Sequence, residues 1–143
     1  MKLKHGLAGA VALAFTCIAG AAFAAPSCGA NTGQAATGAP IVVGGIYSNG
    51  APGDWSSSTD AAAAYFACVN ANGGINGRPI EFTIADDQWN PEVAAQAAAK
   101  LVKDRKVLAM VGSSSFVECG VNGKMYAQED VMVIAGVGVP REC

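Results

Sequence analysis

The chain contains few side chains that could carry out chemistry, and their types favour binding over catalysis. Ser113–Ser115 place three hydroxyls at a predicted helix start, where free N–H groups suit a carboxylate. Asp86-Asp87 are adjacent at a predicted strand end, where neighbouring side chains point to opposite sides, so a shared metal or proton is not favoured. Cys119 would need a base to act as a nucleophile, and the only histidine is His5. We therefore predict no catalytic residue and no metal site.

The N-terminal segment predicts export. Lys2 and Lys4 precede an apolar run, Leu7–Ile18, and Ala22-Phe23-Ala24 is typical of a signal peptidase site. The run is shorter than the roughly 20 residues that span a bilayer, which disfavours a membrane anchor; a lipoprotein route ranks lower because no cysteine follows a suitable motif. We expect residues 1–24 to be a cleaved signal peptide. The mature chain, without histidine or a membrane span, is then periplasmic or otherwise extracytoplasmic.

Four cysteines remain after cleavage, an even number in an oxidising compartment. Cys143 follows the fourth predicted strand, whose exit neighbours the start of the third helix, and this favours the pair Cys119–Cys143. Cys28–Cys68 would then attach the N-terminal lead-in to the first helix. A zinc site is the alternative, but no two of these cysteines are close in sequence and no histidine could complete the site.

Composition and hydrophobic periodicity predict an α/β fold. The 143 residues are 52% hydrophobic and 14% charged, with a formal net charge of −2, which excludes a disordered polyelectrolyte and argues against a nucleic-acid partner. The Gly- and Pro-rich residues 25–40 indicate a flexible lead-in. Right-handed crossovers between the strands that follow make a parallel sheet with helices on both faces. The strands are predicted at residues 41–46, 80–84, 107–111 and 131–134.

Local signals predict three helices between these strands. The first includes residues 60–69, which carry one continuous apolar face. The second starts with Asn90 at the N-cap and Pro91 at the first helical position. The third starts at Ser115, because Ser115 and Glu118 have the spacing of a capping box, in which Glu118 points back along the helix.

The predicted strand order places a binding crevice at one edge of the sheet. Ligands of open α/β sheets bind beyond the carboxyl ends of the strands, where the strand order reverses. With the order 2-1-3-4, three Gly-, Ser- and Pro-rich segments meet there: Tyr47–Ser58, Gly112–Ser115 and Ala135–Pro140. Trp55 is predicted to cover the ligand, with a role as a loop anchor as the alternative. The first two serines of the second segment fit ligand contact and capping equally, whereas the third fits capping better.

Several motifs in this framework are shared with a known family. Residues 69–80 are Val-Asn-Ala-Asn-Gly-Gly-Ile-Asn-Gly-Arg-Pro-Ile, Asp86-Asp87 end the second strand, Asn90-Pro91 begin an Ala-rich helix, and residues 111–115 are Val-Gly-Ser-Ser-Ser. From about residue 41 onward, the chain resembles the periplasmic substrate-binding proteins of branched-chain amino acid ABC transporters, the leucine/isoleucine/valine-binding family with the type I periplasmic binding protein fold. The resemblance implies a Rossmann-like N-terminal ligand-binding lobe, here partial, in residues 41–143. It also implies a second lobe, a small-molecule ligand and an inner-membrane permease as partner.

The same resemblance locates the family's ligand contacts in this lobe. The family's Ser position falls on Phe116, its Thr position on Val139 and its backbone carbonyl on Val137, so both hydroxyls are missing unless a shift of one or two residues recruits Ser113–Ser115. We therefore expect a ligand that is less polar than a plain α-amino acid, or differently charged. The predicted ligand-binding residues are Trp55, Ser113, Ser114, Ser115, Phe116, Val137 and Gly138.

The predicted function is that of an extracytoplasmic receptor that delivers an amino acid, an amide or a small organic acid to an ABC importer. A ligand-sensing module of the same fold is the first alternative. An exported α/β enzyme is less favoured, because the mature chain lacks histidine, a convergent carboxylate pair and a Gly-x-Ser-x-Gly motif. We expect no cofactor.

Overall fold

A computed structural model describes residues 27–137, and its centre is a four-stranded parallel sheet. The strands are β1 (Ile41–Tyr47), β2 (Ile80–Asp86), β3 (Ala109–Ser113) and β4 (Met132–Ala135). Their order in the sheet is β2-β1-β3-β4, the order on which the expected position of the crevice depends. The predicted signal peptide at residues 1–24, together with Gly138, Val139 and Cys143, lies outside the described residues.

Three helices connect the strands. They are α1 (Ser57–Ala71), α2 (Pro91–Ala99) and α3 (Glu118–Gln128), and α2 continues into a π-helical turn, Lys100–Asp104. Within residues 27–137, no helix has the length and apolar character needed to cross a bilayer.

The helices cover both faces of the sheet, as predicted, and each face has its own hydrophobic core. Alternate residues of β1 point to opposite faces, so Val43 joins the core under α1 and Ile46 joins the core under α2 and α3. The core under α1 consists of Cys28, Val43, Val69 and Ile80. The other core consists of Ile46, Ala98, Leu101, Val102, Val107, Met110 and Tyr126. Burial on both faces explains why β1 is an almost continuous apolar run.

The start of α2 agrees with the sequence prediction. Asn90 has an extended backbone, and its side-chain oxygen accepts the N–H groups of Glu92 at 2.8 Å and Val93 at 3.1 Å. Pro91 occupies the first helical position, where the missing N–H has no intrahelical partner to lose. The loop that joins β2 to α2 is therefore fixed at its helical end.

β3 begins at Ala109, two residues later than predicted. The N–H of Val107 donates to the carbonyl of Leu101 at 3.2 Å, and the N–H of Leu108 donates to the carbonyl of Val42 at 2.8 Å. Residues 107 and 108 thus form the exit from the π-helical turn. The side chain of Val107 is nevertheless buried, which explains why the apolar pattern starts there.

α3 begins at Glu118, three residues later than predicted. Ser115 still acts as the cap of the first turn, because its side-chain oxygen accepts the N–H of Val117 at 3.1 Å and the N–H of Glu118 at 2.8 Å. The prediction that Glu118 completes a capping box is wrong. Its side chain points into the protein and is 1% exposed.

Residues 27–40 carry no helix or strand and lie along α1 and the turn that follows it. The N–H of Thr32 donates to the carbonyl of Asn72 at 3.2 Å, and the N–H of Ala36 donates to the carbonyl of Asn70 at 2.8 Å. These bonds connect the segment to the end of the helix and not to the sheet.

A disulfide joins Cys28 to Cys68 and so links this N-terminal segment to α1, which is one of the two predicted pairings. Cys119 is disulfide-bonded as well. Its predicted partner, Cys143, lies outside the described residues, so that pairing stays a prediction.

Candidate ligand-binding site

The loops after β1 and β3 meet at the point where the strand order reverses. A bridge pairs Tyr47, the last residue of β1, with Ser114, which directly follows β3. The N–H of Ser114 donates to the carbonyl of Ile46 at 2.9 Å. The hydroxyl of Ser114 then donates to the carbonyl of Trp55 at 2.5 Å. The carboxyl edge of the sheet therefore holds the Trp55 loop at the position where α/β proteins bind ligands.

Three aromatic rings form a cluster at this edge, and we refer to Trp55, Trp89 and Phe116 as the aromatic cluster. Phe116 lies at the centre: its ring stacks on Trp89 with centroids 5.0 Å apart, and it meets Trp55 edge-on at 4.8 Å. The side chains of Trp55 and Phe116 remain 38% and 40% exposed. Large aromatic surface left open in a crevice is typical of a ligand-binding site.

Trp89 was not among the predicted site residues. It follows β2, where Gln88 and Trp89 have positive φ values of 55° and 60°, and this unusual backbone turns the chain toward the edge. The Trp89 ring nitrogen donates to the carbonyl of Gly53 at 3.1 Å, which joins the loop after β2 to the loop after β1. The carboxyl end of β2 opens on the same edge as those of β1 and β3, so an aromatic residue directly after β2 was the available signal.

Asp87 holds this loop in place through hydrogen bonds. It is fully buried, and its carboxylate accepts the N–H of Trp89 at 2.9 Å and the hydroxyl of Ser115. Its neighbour Asp86 accepts the N–H groups of Asn49 at 3.0 Å and Gln88 at 2.8 Å. Both carboxylates thus fix loop geometry, in agreement with the structural role that their adjacency favours.

The three predicted serines are buried, and their hydroxyls bond within the chain. Ser113 accepts the N–H of Ile46 and donates to Glu118, both at 3.3 Å. Ser114 bonds to Trp55, and Ser115 to Asp87. In this geometry the serines position the aromatic cluster, and direct contact between these hydroxyls and a ligand stays a prediction.

The N-terminus of α3 has few donors left for an anion. Ser115 takes the N–H groups of Val117 and Glu118, and the hydroxyl of Ser48 takes the N–H of Phe116 at 3.4 Å. A carboxylate ligand would have to displace these bonds. The arrangement therefore disfavours the anion contact that a helix N-terminus usually offers.

Glu118, at the start of α3, is a second buried carboxyl near the cluster. Its oxygen accepts the hydroxyl of Tyr126 at 2.7 Å and that of Ser113 at 3.3 Å. Burial raises the pKa of Glu118 to about 7; the bonds from Tyr126 and Ser113 oppose that rise, and the charge of Asp87 adds to it. Burial also raises the pKa of Tyr126.

The end of β4 reaches the same edge. The N–H of Gly136 donates to the carbonyl of Ser113 at 2.6 Å, and a Cβ on Gly136 would lie 2.6 Å from the carbonyl oxygen of Gly112. Glycine is therefore required at this close approach. Val137 follows directly and is half-buried, whereas the next predicted contact, Gly138, lies outside the described residues.

Two serines are hydrogen-bonded to carboxylates, as catalytic serines can be, but their burial argues against a catalytic role. Ser113 bonds to Glu118 and Ser115 bonds to Asp87, yet the serines are only 5% and 8% exposed. A nucleophile must reach its substrate, and neither hydroxyl faces the crevice. Among residues 27–137, no three His, Cys, Asp or Glu side chains are grouped to hold a metal ion.

A parallel α/β lobe with exposed aromatic rings at the strand switch point is typical of proteins that bind small molecules. The chain belongs to the periplasmic binding protein family, whose sequence profile matches residues 40–143. The family resemblance predicted from the motifs is thus confirmed. Members of this family bind small-molecule ligands outside the cytoplasm.

Two relatives match part of the chain. An "Amino acid binding protein" from Pseudomonas aeruginosa is 40% identical over 58 residues, 41% of this chain and 14% of the relative. The "Chemotactic signal transduction system substrate-binding protein BasB" from Halobacterium salinarum is 34% identical over 82 residues, 52% of this chain and 19% of the relative. The chain therefore matches less than a fifth of the length of either relative.

A solved structure supports the fold. The type 1 periplasmic binding protein from Bordetella pertussis Tohama I superposes with a TM-score of 0.56 at 23% sequence identity. The superposition covers 66% of this chain and 26% of that protein. The type I periplasmic binding protein fold of the lobe follows from this match together with the strand order.

Proposed function

We propose that the protein is a non-catalytic, extracytoplasmic receptor that binds a small molecule at the aromatic cluster and delivers it to an ABC importer. The observation that carries the proposal is the pair of open rings, Trp55 and Phe116, held at the strand switch point by the bond from Ser114 to Trp55. A signal peptide at residues 1–24 and an inner-membrane permease as partner are parts of the same proposal.

The ligand is proposed to be of the size of an amino acid, with an apolar part that packs on the open rings. The Pseudomonas relative is named for amino acid binding, which supports this size class. In this lobe, however, the hydroxyls of Ser113–Ser115 bond within the chain, and the family resemblance implies that Phe116 stands at the position of a ligand-binding serine. We therefore expect that ring packing contributes more to affinity here than bonds to an α-carboxylate.

A sensing receptor is the second candidate. It is supported by the Halobacterium relative, whose name places that protein in chemotactic signal transduction. Both roles use the same site, so they differ in the partner and not in the ligand. Deleting the gene would abolish uptake of the radiolabelled ligand in the first case, and would leave uptake intact but abolish taxis toward the ligand in the second.

The binding proposal is tested with a ligand screen on the full-length protein. Amino acids, amides, amines and small organic acids would be added singly, and the melting temperature recorded. Binding to the folded state raises the melting temperature in proportion to the logarithm of ligand concentration above Kd. We expect at least one compound to raise it and to change tryptophan fluorescence, because both tryptophans of the chain belong to the cluster. A screen without any stabilising compound would refute the proposal.

The residues are tested with a matched pair of variants. Trp55→Ala removes an open ring of the cluster, and we expect it to weaken binding at least tenfold, as for a central aromatic contact. Tyr65→Ala removes an aromatic ring that is 57% exposed on α1 and should leave the affinity unchanged. Equal effects of the two substitutions would place the ligand elsewhere.

A further inference from the structure

Within residues 27–137, the segments that surround the aromatic cluster carry only acidic charged side chains. Four segments form this edge, and together they contain five acidic residues and no Lys, Arg or His. The segments are residues 47–60, 86–90, 112–118 and 135–137. The acidic residues are Asp54, Asp60, Asp86, Asp87 and Glu118; burial raises the pKa of Glu118 to about 7, so at neutral pH it carries only part of its charge.

The basic side chains of the described residues lie mostly at the opposite edge of the sheet. Arg78 precedes β2, and its guanidinium donates to the carbonyls of Ala39 at 2.8 Å and Pro40 at 2.9 Å, just before β1. Lys100–Lys106 precede β3 and include Arg105, which forms an ion pair with Glu81 near the start of β2. The lobe is therefore polarised, with its negative end at the crevice.

The raised pKa of Tyr47 reflects its burial and the negative charge near the crevice. Tyr47 is the last residue of β1, and burial raises the pKa of its hydroxyl, with further rises from the charges of Asp86, Asp54 and Asp60. Three carboxylates, from the loop after β1, the first turn of α1 and the end of β2, therefore act on one point beside the switch between β1 and β3. A cation at this point would be stabilised by the same field.

The aromatic rings add an attraction of the same sign. The faces of indole and phenyl rings carry negative quadrupole charge and attract ammonium groups within about 6 Å of the ring centre. Trp55 and Phe116 are the exposed members of the cluster, and three N–H groups at the start of α3, those of Phe116, Val117 and Glu118, already bond to Ser48 or Ser115. The site therefore favours binding of a cation over binding of a carboxylate.

We propose that the ligand is an organic cation, an ammonium group with a short apolar chain, whose charged end lies against the exposed parts of the Trp55 and Phe116 rings. This inference rests on the proposed receptor function and narrows its ligand class. The rings supply the contact, and the surrounding carboxylates set the preference for positive charge.

Three probes of nearly equal shape separate charge from hydrophobicity. They are 3-methylbutan-1-amine, a cation; 3-methylbutan-1-ol, a neutral isostere; and 4-methylpentanoate, an anion. Each is titrated into the full-length protein by calorimetry, with tryptophan fluorescence as the second readout. We expect the amine to bind about 3- to 30-fold more tightly than the alcohol, the range of cation–π attraction, and the anion to bind more weakly than both.

Two variants test the origin of the preference. Phe116→Leu keeps apolar bulk but removes the ring, so it should reduce the preference for the amine over the alcohol about threefold or more. Asp54→Asn removes one exposed negative charge near the crevice. It should weaken binding of the amine but not of the alcohol. Asp104→Asn, in the π-helical turn at the opposite edge, is the matched control and should change neither affinity.

The outcomes separate this inference from the proposed function. If the alcohol or the anion binds as tightly as the amine, or if Phe116→Leu leaves the preference unchanged, the inference is wrong and the receptor function stands. If none of the three probes binds while another compound of the screen does, the inference is again wrong. If no compound of the screen binds at all, both proposals fail.

Discussion

The hydroxyl of Ser114 donates a 2.5 Å hydrogen bond to the backbone carbonyl of Trp55, across 59 positions of sequence. This bond joins the loop after β3 to the loop after β1 at the strand switch point. Since Ser114 is 1% exposed, its hydroxyl has no access to water as an alternative partner. The placement of the Trp55 ring therefore depends on the buried Ser114 side chain, which is not itself exposed at the crevice.

Ser114→Ala should loosen the Trp55 loop. We expect the substitution to lower the free energy of unfolding by about 1–2 kcal/mol, because the partly buried hydrogen bond to the Trp55 carbonyl is lost. It should also weaken ligand binding without removing any ring. Urea denaturation and calorimetric titration measure the two effects. Ser57→Ala, at an exposed position at the start of α1, should change stability by less than about 0.5 kcal/mol; a similar loss in both variants would contradict the role of the Ser114 bond.

Gly112→Ala should destabilise the lobe, whereas Gly123→Ala should not. Gly112 has a φ of 69°, and an added Cβ would lie 3.1 Å from the carbonyl oxygen of Ser58. A left-handed backbone and a close approach both disfavour alanine there, and we expect a loss of about 1–3 kcal/mol. Gly123 lies inside α3, where an added Cβ meets nothing within 4 Å, so alanine should stabilise the helix by about 0.5–1 kcal/mol. Chemical denaturation of both variants measures the contrast, and a stable Gly112→Ala variant would show that the β3 exit tolerates a side chain.

The sequence was sufficient to predict the sheet because the signals that define it are local. Apolar runs such as Ile41–Ile46 and the Asn90-Pro91 helix start depend on neighbouring residues alone, and the parallel order follows from right-handed crossovers. The start of α3 was predicted too early because the spacing of Ser115 and Glu118 has two solutions. The Glu118 side chain can either cap the helix at its surface or turn into the protein interior. It turns inward here, where it accepts a hydrogen bond from Tyr126, eight residues later in the sequence.

The site was only partly predictable because it is made by contacts between loops. Trp55 was identified from its segment, and its neighbours in the segment after β3 were identified with it. The pairing of Trp89 with Phe116 joins residues from two different loops, and no local pattern encodes which ring meets which. The internal bonds of Ser113–Ser115 are likewise tertiary, so their types alone could not show that the hydroxyls face inward.

Removing the Cys28–Cys68 disulfide should destabilise the protein without changing ligand binding. The bond closes a loop of 40 residues, and the chain-entropy estimate for such a loop is about 4 kcal/mol. We expect Cys28→Ala, Cys68→Ala and the double variant to lose the same amount, since each breaks the same bond. Urea denaturation of the oxidised full-length protein measures the loss, and ligand titration provides the control, because the disulfide lies at α1 and not at the aromatic cluster. A loss below about 1 kcal/mol, or a non-reduced peptide map without this pair, would contradict the prediction.

Glu118 should make stability depend on pH in a specific direction. Its pKa rises from 4.5 to about 7 on folding because the carboxyl is buried, so the folded state holds the proton more tightly than the unfolded state. The stabilisation is therefore fully present below pH 4.5 and is lost as the pH rises to about 7, with a total of about 3 kcal/mol. Glu118→Gln, a neutral isostere that can still accept the Tyr126 hydroxyl, should lack this loss. We expect the free energy of unfolding of the variant, relative to that of the wild type, to rise between pH 4.5 and 7.5 in urea denaturation series. Parallel pH profiles of the two proteins would show that the carboxyl titrates as an exposed group and that its inward placement is wrong.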